Sequence, residues 1–203
     1  MPSLLGNDRQ GLVFIVSAPA GTGKTTLVRK LIQEFPSIIA SVSFTTRQPR
    51  HGEKEGVDYH FISEIEFEEK IAAADFLEYV KLYDTYYGTS KQWIEGHLKQ
   101  GRDVILVIDT QGALQLKEKM SAISIFITPP SIEILKKRLF ARQTENLETI
   151  EKRIQWAPQE LEAAKQYDYQ LVNDELDIAY QVFKSIFIAE SHRIRPNLKF
   201  KNR

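Results

Sequence analysis

The sequence predicts an α/β protein built on a doubly wound parallel sheet, and three observations carry this prediction. Apolar strand patterns alternate with helical patterns along most of the 203 residues, which is typical of parallel sheets covered by helices. The runs at 12–16 and 104–108 are apolar without alternation, as in strands that are buried on both faces. Residues 44–100 interrupt the alternation, so we expect a small inserted lobe of mixed β-structure at the sheet edge where ligands bind.

Composition narrows the class of protein. The chain is 42% hydrophobic and 27% charged, with zero formal net charge and no cysteine. This balance favours one globular domain and argues against nucleic acid or membrane as the main partner. The absence of cysteine excludes disulfides and thiolate metal sites and favours a cytoplasmic location. Residues 1–9 have no apolar core of signal-peptide length, and we interpret the basic tail at 193–203 as a solvated end.

The helices and strands are predicted from their termination signals. Pro36 ends the first helix near Phe35, and Ser63 with Glu66 forms a capping box that opens a helix to about residue 74. A further helix starts at 146, and Pro158 is expected to kink or split it. The other strands are expected at 38–43, 59–62, 76–82, 123–127 and 169–172, and the other helices at 90–101, 111–119, 131–141 and 176–192.

Residues 18–25 read Ala-Pro-Ala-Gly-Thr-Gly-Lys-Thr and stand between the first strand and a helix. Strand, glycine-bearing loop, Lys-Thr and helix is the layout of a phosphate-binding P-loop. Lys24 would reach the β- and γ-phosphates, and the Thr25 hydroxyl would take one place on Mg²⁺. Ala18 replaces the usual leading glycine, at a cost of about 1–2 kcal/mol if its φ is positive. The alternative, a chance turn before an ordinary helix, is disfavoured by the flanking strand and helix.

The inserted stretch carries groups that suit a phosphate monoester. Arg47 and Arg50 are spaced three apart in a polar loop, and Tyr59 and Tyr87 follow turn-prone residues. Arginine binds phosphate bidentately, so two guanidinium groups and two phenol hydroxyls could form a clamp. The alternative is a pair of solvated arginines.

Glu78 is a carboxylate among apolar neighbours in the segment 76–80. A carboxylate can accept from the N1–H and exocyclic amine of guanine, and a hydroxyl such as Ser43 or Thr89 could donate to its O6. Adenine presents the opposite edge and would leave the carboxylate unpaired. Glu78 taken alone is better interpreted as an exposed strand residue.

Arginines cluster after the second apolar strand. Arg138 and Arg142 are four apart and share a helix face, and Arg153 follows on the next helix. Phosphoryl transfer spreads negative charge over equatorial oxygens, so cations on a mobile lid are expected catalysts. Spacing alone favours the alternative of two helices with solvated basic faces.

A series of motifs, together, resembles guanylate kinase in order and spacing from about residue 12 to 189. The segments that carry this resemblance are 41–50 (SVSFTTRQPR), 56–61 (GVDYHF), 76–78 (FLE), 86–89 (YYGT), 108–112 (IDTQG), 125–131 (IFITPPS) and 172–177 (VNDELD).

The resemblance implies transfer of the γ-phosphoryl group of ATP to GMP, and to dGMP, with Mg²⁺ and with no nucleic-acid or membrane partner. It implies one domain over 1–203, with a core at 10–43, 101–135 and 166–192, a GMP-binding lobe at 44–100 and a lid at about 136–160. Val107 departs from the family, which commonly has an acid there. The implied ATP-binding residues are Ala18, Pro19, Ala20, Gly21, Thr22, Gly23, Lys24, Thr25, Thr26 and Asn173, the last beside the adenine. The implied GMP-binding residues are Ser43, Arg47, Arg50, Tyr59, Glu78, Tyr87, Thr89 and Asp109, and the implied catalytic residues are Lys24, Asp109, Arg138, Arg142 and Arg153.

Two alternatives remain at this point. Guanylate-kinase-like domains in scaffold proteins are non-catalytic modules that bind phosphopeptides with the same clamp. The presence of Lys24 and Thr25 argues against such a module here. A kinase for another nucleoside monophosphate is the second alternative, and Glu78 with Ser43 argues against adenine as its base.

Overall fold

The computed structural model describes residues 11–82, 84–141 and 147–194. Its strands are β1 (Val13–Ser17), β2 (Ile38–Ala40), β3 (Phe44–Thr45), β4 (His60–Phe61), β5 (Phe76–Leu82), β6 (Thr85–Ser90), β7 (Asp103–Val107), β8 (Ile123–Thr128) and β9 (Tyr169–Val172). Its helices are α1 (Lys24–Glu34), α2 (Glu64–Ala72), α3 (Lys91–Lys99), α4 (Thr110–Lys119), α5 (Ile132–Ala141), α6 (Leu147–Ala163) and α7 (Leu176–His192).

The main sheet is parallel, and its strand order is β2-β7-β1-β8-β9. Strand β1 lies at the centre, and all five of its residues are buried. Helices α1 and α7 pack on one face, where Phe14 stacks on Phe187 with ring centroids 4.0 Å apart. Helices α3 and α4 contribute to the apolar cluster on the other face. The predicted doubly wound α/β fold is therefore confirmed.

A second, four-stranded sheet has the order β4-β3-β6-β5 and contains both parallel and antiparallel pairs. We call it the lobe sheet, since all its strands come from the stretch predicted as an insertion. Strand β6 pairs with both β3 and β5, although its sequence predicts no strand. A Cβ on Gly88 of β6 would stand 2.9 Å from the Phe67 ring. Close packing of α2 onto the strand therefore accounts for a glycine at that position.

Several predicted boundaries need correction. The strand expected at 38–43 ends at Ala40, and the strand that contains the apolar run at 104–108 ends at Val107. Asp109 lies past the end of this strand and caps α4. Pro158 does not split its helix, because α6 continues through it from Leu147 to Ala163. The division into core, lobe and lid stays a prediction.

Serine hydroxyls cap the N-termini of three helices, α2, α3 and α5. Ser63 and Glu66 form the predicted capping box at α2, and the Ser90 hydroxyl caps α3. The Ser131 hydroxyl accepts from the N–H of Ile134 at 3.2 Å at the start of α5. None of the helices that the structure describes is both long enough and apolar enough to cross a membrane.

Candidate active site

A cleft of about 850 Å³ opens at the carboxyl ends of β1 and β7 and extends to the lobe sheet and to helix α6. Carboxyl ends of strands are where ligands bind in open α/β sheets. The cleft therefore lies between three parts of the molecule: the edge of the main sheet, the lobe sheet and helix α6. Each part carries predicted site residues. The predicted residues that line it are Ala18, Ala20, Gly21, Thr22, Gly23, Lys24, Thr25, Ser43, Arg47, Arg50, Tyr59, Glu78, Tyr87, Asp109 and Arg153.

The loop between β1 and α1 has the backbone of a phosphate cradle. Gly21 and Gly23 have φ of 88° and 93°, in the left-handed region that side chains rarely adopt. Ala18 is not among the described non-glycine residues with positive φ, which are Ala74 and Asp84. The alanine at the head of the loop therefore carries no backbone strain, and the missing glycine costs little.

Lys24 begins α1 and faces the cleft. Its ammonium group donates to the backbone carbonyl oxygens of Ala18 and Pro19, the latter at 3.2 Å. These contacts hold the cation over the loop, where phosphate oxygens would bind. Thr25 follows it in the first turn and also lines the cleft.

Asn173, which directly follows β9, contacts the loop between β1 and α1. The Asn173 amide donates to the Thr22 carbonyl oxygen at 2.6 Å, and both residues are buried. A Cβ on Gly23 would lie 2.5 Å from the Asn173 amide nitrogen. Arg138 of α5 donates to the backbone oxygens of Asn173 and Asp174 at 2.8 and 3.3 Å. Asn173 and Arg138 thus buttress the loop rather than line the cleft.

The four predicted clamp residues, Arg47, Arg50, Tyr59 and Tyr87, meet at one end of the cleft. The Arg47 guanidinium lies over the Tyr59 ring, 4.9 Å from its centroid, and the Tyr59 and Tyr87 rings are 6.0 Å apart. The four side chains therefore line the same part of the cleft, and their phenol and guanidinium groups are donors that suit a phosphate.

Glu53 organises this clamp from the same loop. Its two carboxylate oxygens each accept from Arg47 at 2.7 Å, and one also accepts from the backbone N–H of Arg50 at 2.8 Å. Burial raises the pKa of Glu53, but the bonds from Arg47 and Arg50 outweigh it and lower that pKa below its usual value. These hydrogen bonds thus favour the anionic form of Glu53, which holds the Arg47 guanidinium and the backbone of Arg50.

Glu78 is buried rather than exposed, which overturns the interpretation of Glu78 as an exposed strand residue. It lies on β5 with 2% of its surface exposed, and the Thr89 hydroxyl donates to its Oε1 at 2.6 Å. Burial, aided by the nearby charge of Asp109, raises the pKa of Glu78 to about 7. Thr89 is fully buried behind the carboxylate and does not itself line the cleft.

Asp109 caps α4 beside Glu78. Its Oδ1 accepts from the N–H groups of Gln111 and Gly112 at 2.7 and 3.2 Å. Burial raises the pKa of Asp109, while those two N–H groups and Lys24 act in the opposite direction. The buried carboxylate of Glu78 and the half-buried carboxylate of Asp109 thus both line the cleft.

The predicted lid arginines are not all brought together. Arg153 on α6 lines the cleft, whereas Arg138 is held at the end of β9. Arg142 lies outside the described residues. Pro19 and Thr26, predicted as ATP-binding, lie beside the cleft without lining it.

Sequence reasoning missed Glu53 and Glu160. Glu160 lines the cleft from α6, and burial raises its pKa against the charges of Lys24 and Arg153. It follows Arg153 by seven residues, two helical turns, so helix periodicity could have found it. Glu53 could have been found as the acid three residues after Arg50 in a loop of arginines.

These features define a class: an α/β protein with a P-loop that shares one cleft with an arginine–tyrosine anion clamp and the buried carboxylate of Glu78. The family model "Guanylate kinase" matches residues 10–190, and the chain belongs to that family.

Relatives and a solved structure agree with this assignment. The chain is 65% identical over 193 residues to a guanylate kinase of Protochlamydia amoebophila, covering 95% of this chain and 98% of the relative. It is 52% identical over 183 residues to a guanylate kinase of Chlamydia muridarum, covering 90% and 89%. The crystal structure of guanylate kinase from Anaplasma phagocytophilum matches with a TM-score of 0.77 at 32% identity, covering 94% of this chain and 90% of that one.

Proposed function

We propose that this chain transfers the γ-phosphoryl group of ATP to the phosphate of GMP or dGMP, giving ADP and GDP or dGDP. The observation that carries the proposal is the single cleft that holds both the P-loop and the buried carboxylate Glu78. Family membership supports the same reaction.

GMP would bind at the lobe end of the cleft. Its phosphate dianion would lie between Arg47, Arg50, Tyr59 and Tyr87, where guanidinium groups bind phosphate bidentately. The carboxylate of Glu78 would accept from guanine N1–H and the exocyclic amine. Ser43 would donate to O6, while Thr89 would hold the carboxylate from behind. Asp109 would approach the nucleotide from the cap of α4.

ATP would bind at the P-loop end. Backbone N–H groups of residues 20–25, at the loop and the start of α1, would hold its phosphates, and Lys24 would neutralise the β- and γ-oxygens. Asn173 would lie beside the adenine while it supports the loop.

The transfer breaks the bond from the γ-phosphorus to the bridging oxygen of ADP and forms a bond to an oxygen of the GMP phosphate. The acceptor is itself an anion, so the enzyme needs alignment and positive charge rather than a strong base. Lys24 and Arg153 would supply that charge in the present arrangement. Arg138 and Arg142 would add to it when the lid helices α5 and α6 close over the cleft and exclude water.

Mg²⁺ fits the donor set of this cleft. Among the described residues there is no group of three or more histidine or acidic side chains that could hold a metal. Mg²⁺ in kinase sites keeps several waters and binds substrate phosphates with few protein ligands. Thr25 would be the protein ligand, and the ion would offset phosphate charge. The cytoplasmic location and the absence of nucleic-acid partners stay predictions.

The direct test is ADP formation from ATP and Mg²⁺ with GMP, AMP, CMP or UMP as acceptor, followed by a coupled assay. We expect turnover with GMP and little with the others, because only guanine offers two adjacent donors to Glu78. Equal turnover with AMP would refute the assignment of Glu78. Binding of GMP by calorimetry without turnover would instead support the alternative of a non-catalytic phosphopeptide-binding module.

A further inference from the structure

Gly112 stands at the third position of α4, it is one of the two residues whose backbone N–H groups Asp109 caps, and it is buried. Its φ lies outside the left-handed region, so an L-amino acid would fit the backbone here. Glycine in a helix costs roughly 0.5–1 kcal/mol relative to alanine. Local helix stability therefore gives no reason for glycine at this position.

The space beside Gly112 supplies the reason. A Cβ built on Gly112 would lie 2.5 Å from Oε2 of Glu78 and 3.2 Å from its Cδ. Real Cβ atoms do not approach other atoms that closely. An alanine would thus compete with the Glu78 carboxylate for one position between α4 and β5.

The Glu78 carboxylate has little freedom to yield. Its Oε1 accepts the Thr89 hydroxyl at 2.6 Å, and 2% of the residue is exposed. Ordinary van der Waals contact begins at 3.4 Å, so Oε2 would have to move by about 0.9 Å. The carboxylate would then have to turn about the Thr89 bond or leave it.

We propose that Gly112 is a positioning residue for base recognition: its missing side chain provides the space that fixes the Glu78 carboxylate in the plane needed to read guanine. This inference rests on the proposed role of Glu78. It assigns to helix α4 part of the base specificity that Glu78 of the lobe sheet provides. A shift of about 1 Å in a positioned group can cost on the order of 10²-fold in rate.

The chain offers a matched control. Gly96 lies inside helix α3, and a Cβ there would meet nothing within 4 Å. Gly112→Ala and Gly96→Ala therefore make the same chemical change in a helix, but only the first reaches Glu78. Thermal unfolding of both variants shows whether either fails to fold. We expect both to fold, with Gly96→Ala unfolding at or above the temperature of the parent chain. Gly112→Ala should unfold at a lower temperature than Gly96→Ala, because its Cβ displaces the buried Glu78 carboxylate.

The experiment measures KM for GMP, KM for ATP and kcat for the full chain and both variants. We expect Gly112→Ala to raise the KM for GMP by about tenfold or more, with the KM for ATP changed less than about twofold. Gly96→Ala should change neither constant. A KM for GMP that stays within about twofold in Gly112→Ala would overturn the inference.

A double-mutant cycle tests whether the effect passes through Glu78. In the Glu78→Gln background, Gly112→Ala should raise the KM for GMP by a much smaller factor than it does in the parent chain. An undiminished effect there would also overturn the inference.

A readout without substrate separates this inference from the proposed function. The side-chain carboxyl carbon resonance of Glu78, assigned by comparison with Glu78→Gln, should shift in Gly112→Ala and stay in place in Gly96→Ala. Absence of GMP turnover by the parent chain would refute the proposed function. A Glu78 resonance that does not move in Gly112→Ala would refute the positioning role of Gly112.

Discussion

The raised pKa of Glu78 makes a quantitative prediction about pH. The carboxylate must be charged to accept from guanine, but burial and the charge of Asp109 raise its pKa to about 7. The Thr89 hydroxyl and Lys119 oppose this rise without cancelling it. GMP must therefore displace a proton from Glu78 at acidic pH, and we expect its KM to fall as pH rises.

The size of the effect follows from the fraction of charged Glu78. With a pKa of about 7, about one tenth of the molecules carry the anion at pH 6 and nine tenths at pH 8. The KM for GMP should accordingly fall about tenfold between these values, which corresponds to about 1.4 kcal/mol. The KM for ATP should not follow this curve, because ATP binds at the other end of the cleft.

Glu78→Gln is the matched control, since the GMP phosphate itself titrates near pH 6. The variant should raise the KM for GMP at pH 8 by about tenfold or more, through loss of hydrogen bonds to a charged group, with far less effect on ATP. The ratio of the parent's KM to the variant's removes the contribution of the phosphate. A ratio that is flat from pH 6 to 8 would refute the reasoning.

The same group affects stability with a definite sign. The folded-state pKa of about 7 lies above 4.5, the ordinary pKa of a glutamate, so folding takes up a proton between these values. The unfolding free energy should therefore decrease as pH rises from about 4.5 to about 7, by at most about 3 kcal/mol. Denaturant unfolding should show a smaller decrease for Glu78→Gln over that interval; parallel curves would contradict a buried, titrating carboxyl.

Three further substitutions test the other parts of the cleft. Lys24→Ala should lower kcat by about 10²-fold or more, since it removes preorganised charge from the transferring group, while calorimetric GMP affinity survives; unchanged turnover would exclude Lys24 from the mechanism. Glu53→Gln should raise the KM for GMP about tenfold, because hydrogen bonds from the Arg47 guanidinium are charge-assisted; tighter GMP binding would show that Glu53 merely neutralises the clamp. Asn173→Ala should raise the KM for ATP and lower stability by about 1–3 kcal/mol, because it leaves the buried Thr22 carbonyl without its donor; an unaltered KM for ATP and melting temperature would count against this support.

Much of the fold could be predicted because its signals are local. The apolar run of β1, the glycines at 21 and 23 and the capping serines each specify nearby backbone, and the structure agrees with them. Strand β6 was not predicted, because its polar and aromatic residues and Gly88 show no regular alternation of apolar and polar positions. Its pairing with β3 and β5 decides its conformation, and such partners are not visible in the strand's own sequence.

Pro158 shows the limit of a local rule. Proline removes an N–H donor and disfavours helix interiors, yet α6 continues through it. Ala157 beside it is fully buried in a cluster with residues of α5. Tertiary packing on that side of the helix accounts for its continuation, and the propensity of one residue does not reveal such packing.

The candidate site, like the fold, was predictable only in part. Residue types and order predicted which side chains enter the cleft, since most of the expected residues line it. Burial was not predictable for Glu78, because α4 covers the carboxylate from a remote part of the chain. Arg138 also depended on remote structure, since its bonds to the end of β9 join residues 35 and 36 apart.

The bond between Asn173 and Thr22 spans 151 residues, and it has a consequence for the order of folding. Chains are synthesised from the N-terminus, and pairings distant in sequence form slowly because loop closure costs entropy. The phosphate loop therefore leaves the ribosome 151 residues before its buttress. A nascent chain that has not reached β9 therefore carries the motif without its support, so competence to hold ATP should arise only after β9 and Asn173 have been synthesised.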